Sequence, residues 1–114
     1  MKYTIDAQNK KLGRIASQAA TFLMGKGLVT VTRNNVSDVK VEVINASKLD
    51  IDPKRATSVK FYHHSGYPGG IKKMTLSEFI EKKGHKELVR KTIYGMLPTN
   101  TLRAKMIKNL TVTE

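Results

Sequence analysis

The chain of 114 residues contains no cysteine. That excludes structural disulfides, thiolate chemistry and Cys-ligated zinc or iron–sulfur centres. No apolar run approaches the roughly 20 residues that cross a bilayer as a helix. The start, Met1-Lys2-Tyr3-Thr4-Ile5-Asp6, carries no signal-peptide apolar stretch, and its early acid speaks against a transit peptide. The expected compartment is the cytoplasm. Acids are scarce, 9 Asp and Glu against 21 Lys and Arg, and they are scattered. Asp50 and Asp52 flank a turn at Pro53, and Glu81 and Glu87 read as solvated helix charges. The clustered carboxylates that hold Mg²⁺ or run acid–base steps in nucleases and phosphotransferases are therefore missing. No Ser, His and Asp spacing marks a nucleophile, and no repeat, linker or low-complexity segment interrupts the chain. The expectation is a protein with no catalytic residues, no cofactor and no small-molecule substrate.

What is present is positive charge. The net charge is +12 and the isoelectric point is near 10.1. Self-repulsion of this size disfavours a small compact domain unless something anionic neutralises it. Nucleic acid is the leading partner, because Lys and Arg contacts to phosphates release condensed counterions. An anionic membrane would need a basic helix with an exposed, aromatic-rich apolar face, and here the apolar faces are needed for the core. The excess is uneven. Residues 53–77 hold Lys54, Arg55, Lys60, Lys72 and Lys73 and no acid. Residues 82–108 hold Lys82, Lys83, Lys86, Arg90, Lys91, Arg103, Lys105 and Lys108 against Glu87 alone. The remainder balances, so it reads as a neutral scaffold beside a partner-facing cationic half. Solvation of exposed helices is the plainer account of such charge, and a balanced protein would favour it.

Periodicity gives an α/β chain with one domain over 1–114. Tyr3 and Ile5 alternate with polar neighbours in a short strand over 2–6. Leu12, Ile15, Ala16, Ala19 and Leu23 recur at helical spacing, ending at Gly25 or Gly27. Val39, Val41 and Val43 begin a strand over 39–46. Strand, helix, strand predicts a βαβ unit with parallel pairing. Leu49 and Ile51 suggest a further short strand before Pro53, and Val59 to His64 another. Thr75-Leu76-Ser77-Glu78 has capping-box spacing and opens a short helix. A second helix over about 86–97 has Val89, Ile93, Met96 and Leu97 on its core stripe and stops at Pro98. A third begins near Thr99 or Asn100 and carries Leu102, Met106, Ile107 and Leu110. Thr111-Val112-Thr113 closes as an edge strand.

Two constellations stand out. The first is His63-His64-Ser65-Gly66-Tyr67-Pro68-Gly69-Gly70-Ile71-Lys72-Lys73. Its glycines allow close backbone approach to a ligand, and its amides can line an anion site. Tyr67 or a His ring can stack on a base. An RNA contact and a plain turn both remain open on spacing alone. His63 and His64 point to opposite faces of a strand, so they do not suit one metal ion, and no metal is expected. The second is Lys83, Lys86 and Arg90 at i, i+3, i+7, with Tyr94 one turn beyond, a cationic stripe opposite the apolar one if the helix begins early enough.

In order and spacing, Asp6-Ala7, Leu12-Gly13-Arg14-Ile15-Ala16-Ser17, Asn45-Ala46, the block from His63 to Lys72, and Gly95-Met96-Leu97-Pro98 resemble the family of large-subunit ribosomal protein thirteen. The resemblance covers nearly the whole chain, and its histidine–glycine block is highly specific. It implies a three-layer α/β/α fold on a four-stranded, mainly parallel sheet. It implies early assembly onto large-subunit ribosomal RNA beside neighbouring large-subunit proteins, one copy per ribosome, without catalysis. It also implies that Arg14, the loop 63–73 and the basic helices after Gly84 lie against RNA. With the charge, the expected RNA-contacting set is Arg14, Lys54, Arg55, Lys60, His63, His64, Ser65, Gly66, Tyr67, Gly69, Gly70, Lys72, Lys73, Lys83, Lys86, Arg90, Lys91, Tyr94, Arg103 and Lys105. Departures occur at Leu28, Arg33 and Asp38, at Tyr94 where a basic residue is usual, and at Arg103-Ala104 where Gly-Arg is usual. The C-terminal extension of many members does not follow Glu114, which implies loss of its peripheral contacts. Two other readings stay open: a free-standing RNA-binding regulator, and a small phosphate-processing enzyme using the His63–Gly70 loop.

Overall fold

The computed structural model describes residues 2–26 and 39–114. Leu28, Arg33, Asp38 and a helix end at Gly27 lie outside the described residues. Strand β1 (Lys2–Asp6) leads through helix α1 (Leu12–Leu23) to β2 (Lys40–Ile44). β1 and β2 pair in parallel, as the βαβ reading requires, with Tyr3 beside Val41 and Ile5 beside Val43. β5 (Leu110–Val112) adds in parallel on the other side of β2, so the order is β1-β2-β5. The valine alternation makes this work: Val41 and Val43 are buried on the same side as Ile5 and Val112.

α1 buries Ile15, Ala16, Ala19, Ala20 and Leu23. Its alanines let α3 (Leu76–Met96) approach closely, and Val89 and Ile93 of α3 enter the same core. Each fully buried Leu or Ile here removes a side chain from water for about 1.5–3 kcal/mol. Tyr3 and Phe22 close one edge of the core, stacked at 4.1 Å between ring centroids. Gly25, with φ 75°, ends α1 in the left-handed conformation typical after a helix C-terminus.

The remaining strands form a separate ladder. β3 (Lys60–His64) and β4 (Ile71–Thr75) pair antiparallel. This corrects the expected four-stranded, mainly parallel sheet: among the described residues the sheet has three parallel strands beside a two-stranded hairpin. The connection 65–70 is too short for a parallel crossover, which needs a dozen or more residues. Most side chains of β3 and β4 are also exposed, unlike a covered parallel strand.

Other expectations shift too. The strand expected at Leu49 and Ile51 is absent. β2 stops because Asn45 turns left-handed (φ 58°), and a 3₁₀ turn over Ala46–Lys48 follows. A short helix α2 (Pro53–Ser58) replaces the expected turn, with Asp52 accepting from the Lys54 amide at 3.0 Å. Asp followed by Pro at the first helical position was its signal in the sequence. α4 (Arg103–Ile107) starts later than Thr99, because the Asn100 side chain accepts from the Leu102 amide and holds a turn there. Leu110 lies on β5 rather than on a helix. Met96 is 41% exposed and belongs to no core stripe, whereas Leu88 is fully buried.

α3 is two arms. Thr75 caps the first, accepting from the Glu78 amide at 3.3 Å as the capping box predicts. Gly84 then takes φ 86° and ψ 167° and breaks the helix. That backbone region is essentially restricted to glycine. The Glu114 carboxylate accepts from the Lys86 amide at 3.3 Å and caps the second arm.

Candidate nucleic-acid interface

The hairpin tip is held by its own backbone. The Ser65 amide donates to the Gly70 carbonyl and the Gly70 amide to the Tyr67 carbonyl, each at 2.9 Å. The Gly66 amide donates to Nδ1 of His64, also at 2.9 Å. A ring that accepts at Nδ1 carries its proton on Nε2. The Ser65, Gly66 and Gly70 amides are thus engaged within the turn. The side chains are open to solvent: Tyr67 is 75% exposed, and His63, His64, Ser65 and Lys72 are exposed as well. Gly70 is required sterically, since a Cβ there would meet Ser65 Oγ and the Tyr67 carbonyl.

The register puts Tyr62 opposite Lys73 and His63 opposite Lys72. His63 and His64 therefore face opposite sides of the ladder. Lys73 Nζ sits 5.9 Å from the centroid of the Tyr62 ring, within cation–π range. On the other side, Phe61 packs against Phe79 of α3 at 5.1 Å, tying the hairpin to the first helical arm.

The second arm of α3 carries Lys86, Arg90 and Lys91. Gly84 interrupts the expected Lys83, Lys86, Arg90 stripe, so Lys83 is separated from Lys86 and Arg90, which stay one turn apart on the second arm. The kink instead brings Lys83 of the first arm together with Arg90, Lys91 and Tyr94 of the second around a concavity of about 330 Å³. Phe79 and Ile107 complete its apolar part, and Glu87 also lines it. Lys86 is exposed outside it. Lys91 Nζ is 5.4 Å from the Phe61 ring and 5.9 Å from Phe79. Phe79 and Glu87 were absent from the sequence-based set; Phe79, inside the capping-box helix, was readable only as core.

Arg103 reaches back from α4. Its guanidinium lies 4.0 Å from the Tyr94 ring centroid, and Nε donates to the Tyr94 carbonyl at 2.8 Å. Lys105 is exposed on the same helix. Arg14 is exposed in the first turn of α1, while Lys54 and Arg55 are exposed on α2 and Lys60 on β3.

Ion pairing among the described residues is one-sided. Among the described residues, ion pairs join Lys2 to Glu42 at 3.0 Å and Lys11 to Asp50 at 2.8 Å. Both lie in the balanced part of the chain. None of the Lys and Arg residues from Lys54 to Lys108 pairs with a carboxylate.

A family model described as ribosomal protein L13 matches residues 1–114. The chain belongs to the ribosomal protein L13 family. The L13 relatives include the large ribosomal subunit protein uL13 of Geobacter sulfurreducens, 43% identical over 110 residues, or 96% of this chain and 76% of that protein. The uL13 proteins of Natranaerobius thermophilus and Mycolicibacterium smegmatis are each 44% identical over 110 residues, covering 96% of this chain and 76% and 74% of theirs. No described helix is long and apolar enough to cross a membrane.

Proposed function

We propose that this L13-family chain is a structural, non-catalytic constituent of the large ribosomal subunit, binds large-subunit ribosomal RNA and supports early assembly of the subunit. The observation that carries this is the unpaired cationic half: Lys and Arg residues from 54 to 108 with which no carboxylate of the described residues forms an ion pair. Converging RNA strands repel, and such a surface relieves that repulsion by replacing condensed counterions with fixed cations. The contact set is Arg14 on α1, the α2 and hairpin cations with the tip from His63 to Gly70, and the basic side chains and Tyr94 of α3 and α4. Recognition rests mainly on shape, because folded RNA offers phosphates and 2′-hydroxyls more readily than deep-groove base edges. Residues 1–114 act as one domain, since residues from Ile5 to Val112 share one core cluster. One copy sits in each cytoplasmic ribosome beside neighbouring large-subunit proteins.

Sedimentation tests this reading. The tagged protein is expected to travel with large subunits through a salt wash and to bind large-subunit RNA fragments at low ionic strength. Release into the ribosome-free fraction, with RNA binding retained, would instead indicate a free-standing regulator. Loss of both would overturn RNA binding altogether.

A further inference from the structure

Phosphate contacts alone do not account for the concavity between the arms of α3 and α4. A surface for duplex RNA needs cations spread to match rows of backbone phosphates. Here Lys83, Arg90 and Lys91 converge on one hollow, and its remaining lining is different in kind. Ile107 is almost fully buried, Phe79 is half-buried, and Tyr94 is 40% exposed. The volume of about 330 Å³ falls at the small end of ligand sites, which span about 300–1,000 Å³.

Resting on the RNA-binding reading above, we propose that this hollow holds a single unpaired nucleotide extruded from the RNA. Its base lies on the apolar and aromatic floor, and its phosphates lie against the cationic rim. Three features favour this occupant. Stacked bases in a duplex offer no π-face, whereas an unpaired base does, and aromatic side chains are the usual platform for it. The Tyr94 ring is pre-set: Arg103 backs it at 4.0 Å without lining the hollow, and its Nε bond at 2.8 Å fixes the pair. Glu87 supplies the one acceptor-only group, suited to an exocyclic amino group of a base and unfavourable to a second phosphate. Lys91 Nζ lies over the Phe61 and Phe79 pair, 5.4 Å and 5.9 Å from the two centroids, and adds a cation to the lining of the hollow. An acidic side chain of a neighbouring protein would satisfy the rim but leave the floor and Glu87 without use.

The test uses the full chain and three probes at one low salt concentration: fluorescent hexaadenylate, a blunt RNA duplex long enough to stay paired and compared per phosphate, and hexaglutamate as competitor. Hexaadenylate is expected to bind about tenfold tighter than the duplex, the effect of stacking one base. Tyr94→Leu should erase that preference while leaving the salt dependence of both probes unchanged, and Tyr94→Phe should retain it. Tyr94 is exposed, so neither variant disturbs the core, and circular dichroism checks this. Equal affinities for single strand and duplex would overturn the proposal. So would an unchanged preference in Tyr94→Leu, or displacement of hexaadenylate by hexaglutamate at equal concentration. Each of those results, with binding to large-subunit RNA intact, would leave the broader reading standing and remove only the nucleotide site.

Discussion

Arg103 and Tyr94 form one unit across two helices: ring and guanidinium stack at 4.0 Å, and the Nε bond to the Tyr94 carbonyl measures 2.8 Å. The contact joins α4 to the end of α3 and fixes a cation that would otherwise sweep through solvent. It also places positive charge beside position 94.

Arg103→Lys keeps the charge but loses the planar stack and the Nε bond. The affinity for large-subunit RNA should fall a few-fold, because a flexible ammonium must be ordered on binding, at a cost of about 0.5–1.5 kcal/mol. The slope of log affinity against log salt should stay the same. Filter binding across a salt series reads both, and a flattened slope would show that the guanidinium is not a pre-set contact.

Lys83 and Arg90 meet across the Gly84 kink rather than along one helix. Replacing both with Ala should weaken RNA binding and lower the salt slope by up to about two, roughly one per phosphate contact. An unchanged slope would place this surface away from phosphate.

The hairpin tip depends on Gly70. In Gly70→Ala the new Cβ meets Ser65 Oγ and the Tyr67 carbonyl, an overpacking cost of about 1–3 kcal/mol. Because β3 and β4 stand apart from the three-stranded sheet, the loss should be local. Hydrogen exchange is expected to quicken across the hairpin and not in β1, β2 or α1, and RNA affinity should fall. Uniform quickening would mean that the hairpin and the core unfold together.

Gly84→Ala imposes a side chain on a backbone with φ 86° and ψ 167°. The strain is about 1–3 kcal/mol, and chemical denaturation should show a loss in that range. An unchanged midpoint would mean that the two arms straighten at no net cost.

At the end of β1, the Asn45 side chain at 3.0 Å and the Gln8 amide at 2.9 Å donate to Asp6. These bonds, the Asn45 bond first, hold the carboxyl below its ordinary value of 3.8. A group whose value drops on folding contributes stability that is complete above the ordinary value and disappears as pH falls through the folded one. The wild type should therefore exceed Asp6→Asn in melting temperature at neutral pH by a small margin, since the group is exposed. The margin should close under acid below 3.8. A margin that stays constant into acid would separate the effect from the charge.

Local patterns decided much of this protein. Valine alternation in β2, the apolar spacing of α1, the Thr75 cap and the parallel βαβ unit were all legible because each depends on residues close in the chain. The unneutralised cationic half was legible as well, since charge adds along a sequence without knowledge of the fold. Tertiary structure decided the rest. Whether β3 and β4 join the main sheet depends on connection length and on which faces find cover, and that left a separate hairpin. The cationic stripe failed as a helix pattern because Gly84 takes a backbone conformation that helical spacing does not encode. The hollow around Tyr94 and the grip of Arg103 on its ring arise only when α4 folds back on α3. Such contacts between residues distant in sequence follow from packing geometry, which no local period reports.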